Sequence, residues 1–292
     1  MYSTGKELLE QTKIHNTSIS QIVIMAESES FQTPIESIVK HMKLNYKVME
    51  ASSKDAIEDA KSHMGHIIGG DGKKAFDYAN SQKSICGELI NKAMARAFSC
   101  SEVNASMGRI CAAPTAGSCG IIPAVMFTLA EAYDLDEDTI VNGLFAAAGI
   151  GEIIATHATL SGAEGGCQAE CGSASAMAAA AVVELRGGSV SQSLHAAAIA
   201  LKNIMGLICD PIAGLVESPC AKRNASGAVN ALISADMALA GIESAIPFDE
   251  VVDAMYAVGK SLPSSLRETA QGGIAITPTG MALSHKIHGT NL

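Results

Sequence analysis

Tryptophan is absent from this chain, and phenylalanine and tyrosine supply only 4% of its 292 residues. A core of this size without large rings has to be filled by smaller side chains. The 27 glycines and long alanine-rich stretches do that filling. Small residues let helices approach closely, so the expected fold is all-α and compact. Positive charge is also scarce: 20 Lys and Arg stand against 30 Asp and Glu, a net charge of −10, and no Lys or Arg occurs between Arg109 and Arg186. This balance disfavours a nucleic-acid surface, and the interior stretch offers phosphate no cationic anchor. There is little strand alternation, no repeated strand–helix unit and no repeat at a fixed period, which argues against a doubly wound sheet or a solenoid.

Targeting segments are missing too. The opening Met-Tyr-Ser-Thr-Gly-Lys-Glu-Leu-Leu-Glu has neither the apolar stretch nor the cleavage site of a secretory signal. The longest uncharged run, Ile110 to Ala130, contains Pro114, Gly117, Gly120 and Pro123, which make it a poor membrane span. The expectation is a cytoplasmic protein with no membrane partner, in which eight cysteines stay reduced.

Helical periodicity predicts helices over Thr33–Lys47, Gln82–Ser99, Ile121–Tyr133, Asp136–Ala155, Ala174–Leu185, Ser191–Met205, Gly227–Ala240 and Asp249–Leu262, with Gly187-Gly188, Gly206 and Gly241 as stops. The turn Gly69-Gly70-Asp71-Gly72-Lys73-Lys74 lacks Walker A spacing and reads as an ordinary turn. Three stretches interrupt the helical pattern by combining cysteine with glycine, proline or polar residues: 111–120, 161–173 and 209–224. Their convergence on one buried site is the economical explanation.

No close Cys-x-x-Cys or His-x-x-x-His pair announces structural zinc. What is present is a trio: Cys167 in Gly-Gly-Cys-Gln-Ala-Glu-Cys-Gly, then Cys209 and Cys220 eleven positions apart. Three thiolates on separate turns can hold an iron–sulfur cluster while leaving one iron open as a Lewis acid, although buried free cysteines also serve as plain apolar filling. Thr115 and Ser118 sit near the start of the helix expected at Ile121, where free N–H groups favour a carboxylate.

The blocks Ala113-Pro-Thr-Ala-Gly-Ser-Cys-Gly-Ile-Ile-Pro, Ser161-Gly-Ala-Glu-Gly-Gly-Cys-Gln-Ala-Glu, Cys209-Asp-Pro-Ile-Ala-Gly-Leu-Val-Glu-Ser-Pro-Cys-Ala-Lys-Arg-Asn, Leu266-Arg-Glu-Thr-Ala-Gln-Gly-Gly and Thr277-Pro-Thr-Gly resemble the iron–sulfur-dependent L-serine dehydratases. Matching blocks run in order from about Gly69 to Gly280, and the chain is similar to the separate alpha subunit of the two-subunit bacterial form. The resemblance implies a [4Fe–4S] cluster held by Cys167, Cys209 and Cys220, an L-serine substrate converted to pyruvate and ammonia, and a beta-subunit partner. It also implies one domain over 1–292: peripheral N-terminal helices to about residue 65, a cluster-binding core over 66–280 and a tail over 281–292. Cys171 falls where relatives carry an apolar residue and is expected not to be a ligand; the role of Cys119 stays open.

For the base that takes serine's α-proton, His157 is the nearest histidine to Cys167 in sequence and has a suitable pKa range, while the resemblance also implies a histidine in the beta subunit. Lys222 and Arg223 follow Cys220 and suit either offsetting the cluster's negative charge or clamping the substrate carboxylate. Thr115, Ser118 and Ser161 are candidates for holding the substrate's carboxylate or amino group. The rivals are a related cluster-dependent L-cysteine desulfidase and a non-catalytic metal-binding scaffold. A pyridoxal-phosphate enzyme is disfavoured by the lysine-free interior and the absent α/β pattern.

Overall fold

The computed structural model describes residues 2–59, 67–81 and 83–289. Among them there is no strand; the one β-type pairing is an isolated parallel bridge between Cys209 and Arg267. The architecture is all-α, as expected.

The central element is the helix Ser173–Leu185, buried from Ser173 through Val183. It carries alanine at six of its thirteen positions, so neighbouring backbones come close on every side. Around it pack Ile121–Tyr133, Glu137–His157, Val190–Ile204 and Cys220–Leu239. Glycines face larger side chains at the crossings: Gly143 faces Leu185, Gly151 faces Met177, and Gly227 faces Ile121 and Ser175. Branched residues fill the remaining space, with Ile121, Ile140, Ile150, Ile153 and Ile154 all fully buried. Each such side chain contributes roughly 1.5–3 kcal/mol.

Helix starts follow local chemistry. Asp136 caps Glu137–His157 by accepting the Thr139 N–H at 2.8 Å, and Ser189 with Gln192 forms a capping box at Val190–Ile204. The helix expected from Gly227 starts earlier, at Cys220. Pro219 stands immediately before it, where a missing N–H costs the helix nothing.

The N-terminal helices Gly5–His15, Ile19–Ser30 and Ile35–Glu58 supply Leu8, Ile19, Ile22, Val23 and Met49 to the same continuous core. Half-buried Glu184 accepts the N–H groups of Ile19 and Ser20, tying the second of these helices to the central one. The boundary expected near residue 65 lies outside the described residues. At the other end, Pro278–His288 is helical, so most of the stretch set apart as a tail continues a regular element. Two segments, Ala116–Tyr133 and Glu137–His157, are long and apolar enough to cross a membrane; both are largely buried among the other helices.

Candidate functional site

Two of the interruptions of the helical pattern, 161–173 and 209–224, bring Cys167, Cys209 and Cys220 near one another. Cys167 leaves the short helix Gly162–Gly165 through Gly166, whose φ of 77° suits glycine, and whose β position faces the Leu207 carbonyl. The chain then makes a π-helical turn, Gln168–Gly172, before entering the central helix. Such turns recur at functional sites. Gln168 fixes this turn by donating to the carbonyls of Gly165 and Met255 and accepting the Gly206 N–H.

Cys209 is held by its own backbone: its N–H donates to the Leu266 carbonyl at 2.9 Å, and its carbonyl accepts from Glu268 at 2.7 Å. Cys220 opens the helix Cys220–Leu239. All three cysteines are buried.

Cys167 is the electrostatic centre of the group. Hydrogen bonds from Cys171, at 3.4 Å, and from Cys209, with the Arg223 guanidinium beside them, hold its thiol well below the usual range despite burial. Cys171 and Cys209 are pushed up for the reciprocal reason, with burial adding to it. Burial, reinforced by the charge on Cys167, raises Cys220 to about 12. Arg223 is fully engaged: one nitrogen donates to the Ile208 carbonyl at 2.8 Å, another pairs with buried Asp210 at 2.8 Å, and the group also reaches Cys167. Its donors face protein and sulfur. Asp210 in turn accepts the Ile274 N–H at 2.7 Å, binding the loop that follows residue 266 to the Cys209 turn.

Beside the thiols lies a cavity of about 640 Å³ whose wall includes Thr115, Gly117, Ser161, Gly162, Glu164, Glu170, Val216 and Glu268. Glu170 joins the cavity to the sulfurs. The Thr115 hydroxyl donates to its Oε1 at 2.7 Å and the Cys209 thiol lies 3.9 Å from Oε2. Burial pushes this carboxyl up to about 7, with the charges of Cys167 and Glu268 adding to the effect. Two glycines from different loops flank it. A β-carbon on Gly162 would stand 2.6 Å from Oε2 and 3.2 Å from the Cys209 sulfur, and one on Gly117 would stand 2.9 Å from Oε1.

The other candidates are placed as follows. Thr115 and Ser161 line the cavity. Ser118 is fully buried and caps its own turn with Thr115. Lys222 points outward, 2.8 Å from Asp71, and is 58% exposed. His157 ends its helix on the surface, with Nε2 3.0 Å from the Ser3 carbonyl, and is not part of the cavity wall. Cys119 faces the Cys100 carbonyl at 3.9 Å. The turn at Gly69–Gly72 is filled from within: buried Glu102 accepts the N–H groups of Gly70, Asp71 and Gly72. Glu217, from the Cys220 turn, accepts those of Ile67 and Ile68.

Sequence reasoning left Glu170, Asp210 and Glu268 without roles. Each stands inside a cysteine- or glycine-containing block, and a charged residue within such a block is the signal that marks it.

Among the described residues no three His, Cys, Asp or Glu side chains are grouped as a single metal ion requires. Cys171 lies 3.4 Å from Cys167, near enough to be a further ligand. Replacing Cys171 with serine keeps a hydrogen-bond donor at the position. The change is expected to alter the site by roughly 1 kcal/mol, so any metal that the cysteines hold stays and activity falls by less than about fivefold. Joint loss of iron and turnover would instead make Cys171 a fourth ligand and the site a closed one.

The family model for the serine dehydratase alpha chain matches residues 14–275. A Bacillus subtilis protein named as a probable L-serine dehydratase alpha chain is 51% identical over 289 residues, covering 99% of this chain and 96% of that one. The L-serine dehydratase alpha chain of Peptoniphilus asaccharolyticus is 52% identical over 283 residues, covering 97% of each. The L-serine dehydratase of Streptomyces coelicolor is 36% identical over 283 residues, spanning 94% of this chain but 61% of that protein.

Proposed function

The chain belongs to the serine dehydratase alpha-chain family, and on that footing we propose that it is the alpha subunit of an L-serine ammonia-lyase. In this reading it works in the cytoplasm with a [4Fe–4S] cluster and a beta subunit, and converts L-serine to pyruvate and ammonia. The observation that supports the reading is the hydrogen-bonded pair Cys167 and Cys209, with Cys220 near enough for the charge on Cys167 to raise it, next to a cavity that a buried glutamate connects to the Cys209 sulfur.

The residues present fit a cluster. Three soft donors come from three separate turns, half-buried Arg223 supplies a positive charge beside Cys167, and Gly162 leaves room against the Cys209 sulfur. Cys167, Cys209 and Cys220 would hold it. When bound, it supplies a Lewis-acidic iron that draws electron density from the serine hydroxyl and eases its departure.

The chain's own groups do the rest of the work on this side. Arg223 offsets thiolate charge and, through Asp210, fixes the Cys209 turn. Thr115 and Ser161 present hydroxyls to the substrate's polar ends, and Glu170 keeps the Thr115 loop and the Cys209 turn in register. Loss of the α-proton and of hydroxide leaves 2-aminoacrylate, whose imine form takes up water. The water released is thus regained, and L-serine balances with pyruvate plus ammonia. His157 lies outside the cavity wall, and in this reading the α-proton acceptor is the beta-subunit histidine that the family resemblance implies.

The test is iron and acid-labile sulfide in the chain purified anaerobically after co-production with its partner subunit. About four of each per alpha chain, with serine-dependent pyruvate formation, is the expected result. Zinc in their place, or no metal in a folded and protected sample, would return the cysteines to a structural role.

A further inference from the structure

None of the three cysteines assigned to the cluster lies in the loop 111–120, yet Thr115, Ala116 and Gly117 form part of the cavity wall. This loop has to be seated against the cysteine turns from outside itself. On one side the Thr115 hydroxyl donates to Glu170 at 2.7 Å, within the π-helical turn that follows Cys167. On the other side stands a buried amide, Asn224. Asn104 adds a long contact, 3.4 Å, to the Ala116 carbonyl.

Asn224 lies one turn beyond Cys220 on the helix Cys220–Leu239, so its side chain lies back over the start of that helix. It is 1% exposed, and both its donors and its oxygen are engaged. Nδ2 donates to the Gly117 carbonyl at 2.7 Å and to the Cys220 carbonyl at 2.9 Å, while Oδ1 accepts the Gly120 N–H at 2.8 Å. Two carbonyls and one N–H in fixed places demand two donors and an acceptor from one short side chain, which is the inventory of asparagine. Aspartate would turn a second acceptor on the carbonyls, and leucine would leave all three groups unpaired. The approach is close: a β-carbon on Gly120 would stand 3.1 Å from Oδ1 and 2.6 Å from the Ala97 carbonyl oxygen.

We propose that Asn224 is a positioning residue for the substrate, which keeps the wall Thr115–Gly117 in register with Cys220. The inference rests on the ammonia-lyase reading above. Asn224 is not part of the cavity wall and acts through Gly117. Seated by Glu170 on one side and by Asn224 on the other, the wall has its shape before the substrate arrives, which lowers the ordering cost of binding. The sulfur turns have supports of their own in Gln168, Leu266 and Glu268, so loss of this amide shifts the wall and spares the thiols.

The experiment compares the parent with Asn224→Ser and Asn224→Ala in the full alpha–beta complex. Serine can still donate to the carbonyl four residues back, at Cys220, but does not reach the loop, so it frees the wall and keeps the helix start. Asn230→Ala is the control: Asn230 is a buried amide on the same helix that donates to the Ala200 carbonyl at 2.8 Å, and it does not line the cavity. Iron content, Tm, amide hydrogen exchange over 115–120, and kcat and KM for L-serine are read for each. Both Asn224 variants should keep parent iron and exchange the Gly120 amide at least about tenfold faster. Their KM should rise roughly 10- to 100-fold, with a much smaller change in kcat. Asn230→Ala should lower the Tm and keep the parent KM. Asn224 variants with the parent KM, or an equal rise in Asn230→Ala, overturn the proposal while parent turnover still supports the ammonia-lyase reading. A parent complex that does not consume serine overturns both.

Discussion

Cys209→Ser is expected to strip the complex of iron and lower serine turnover at least about a thousandfold while the helices stay folded. Loss of an outer-shell partner of a metal ligand costs about 10- to 100-fold, and loss of a ligand exceeds that. Serine offers a hard, protonated oxygen where soft thiolate chemistry is required. The fold should tolerate the change because Cys209 is positioned through its backbone, by Leu266 and Glu268, and neither bond involves the sulfur. The new hydroxyl would stand near Glu170 Oε2, where it can donate a hydrogen bond. Iron analysis, the visible absorption of the cluster and far-ultraviolet circular dichroism check the three parts separately. Parent-level iron and activity in this variant would remove Cys209 from the ligand set.

The second large effect is expected from a single methyl group. Gly162→Ala places a β-carbon 2.6 Å from Glu170 Oε2 and 3.2 Å from the Cys209 sulfur, well inside normal contact. Glu170 has nowhere simple to retreat. Gly117 stands close on its other side, and Thr115 grips Oε1 at 2.7 Å. Either the carboxylate turns and leaves Thr115, or the Cys209 sulfur moves; both disturb the cavity wall where substrate would lie. Misplacement of about 1 Å is enough for a hundredfold loss, so kcat/KM for serine should fall by about that factor. Overpacking of this kind costs about 1–3 kcal/mol, so the protein should still purify folded, with a lower Tm. Full activity would show that this part of the wall yields freely, and that the glycine is not needed for approach.

Much of the helical framework could be read from composition and spacing. Ile121–Tyr133 starts and stops where its pattern says, and the helix around Ala174–Leu185 differs from expectation by one residue at its start. Local signals suffice there, because capping side chains and stop glycines act within a turn of the element they end. The three cysteine turns were legible for the same reason: an apolar helical protein has little use for proline, glycine and cysteine together.

What could not be read was pairing across the fold. Glu102 neutralises a helix start some thirty residues before it, and Asp210 joins Arg223 to the Ile274 backbone. Glu170 acquires its setting only when Thr115, Gly162 and Cys209 surround it. Sequence gives such residues a charge and a neighbourhood but no partner. Lys222 shows the converse. Its place beside Cys220 suggested the site, yet the first turn of the helix Cys220–Leu239 directs it outward to Asp71, while Arg223 is the residue directed inward.

The clasp on Cys209 bears on the order of events during synthesis. Its two backbone partners, Leu266 and Glu268, are translated well after it, and the Asp210 contact needs Ile274. At about 5–20 residues per second, several seconds separate the appearance of this thiol from that of the segment that seats it. A nascent chain that already displays all three cysteines still lacks the geometry to grip anything with them. On the ammonia-lyase reading, delivery of iron and sulfide therefore belongs after residue 274 has emerged, and translation arrested before residue 266 should yield chains that cannot be loaded.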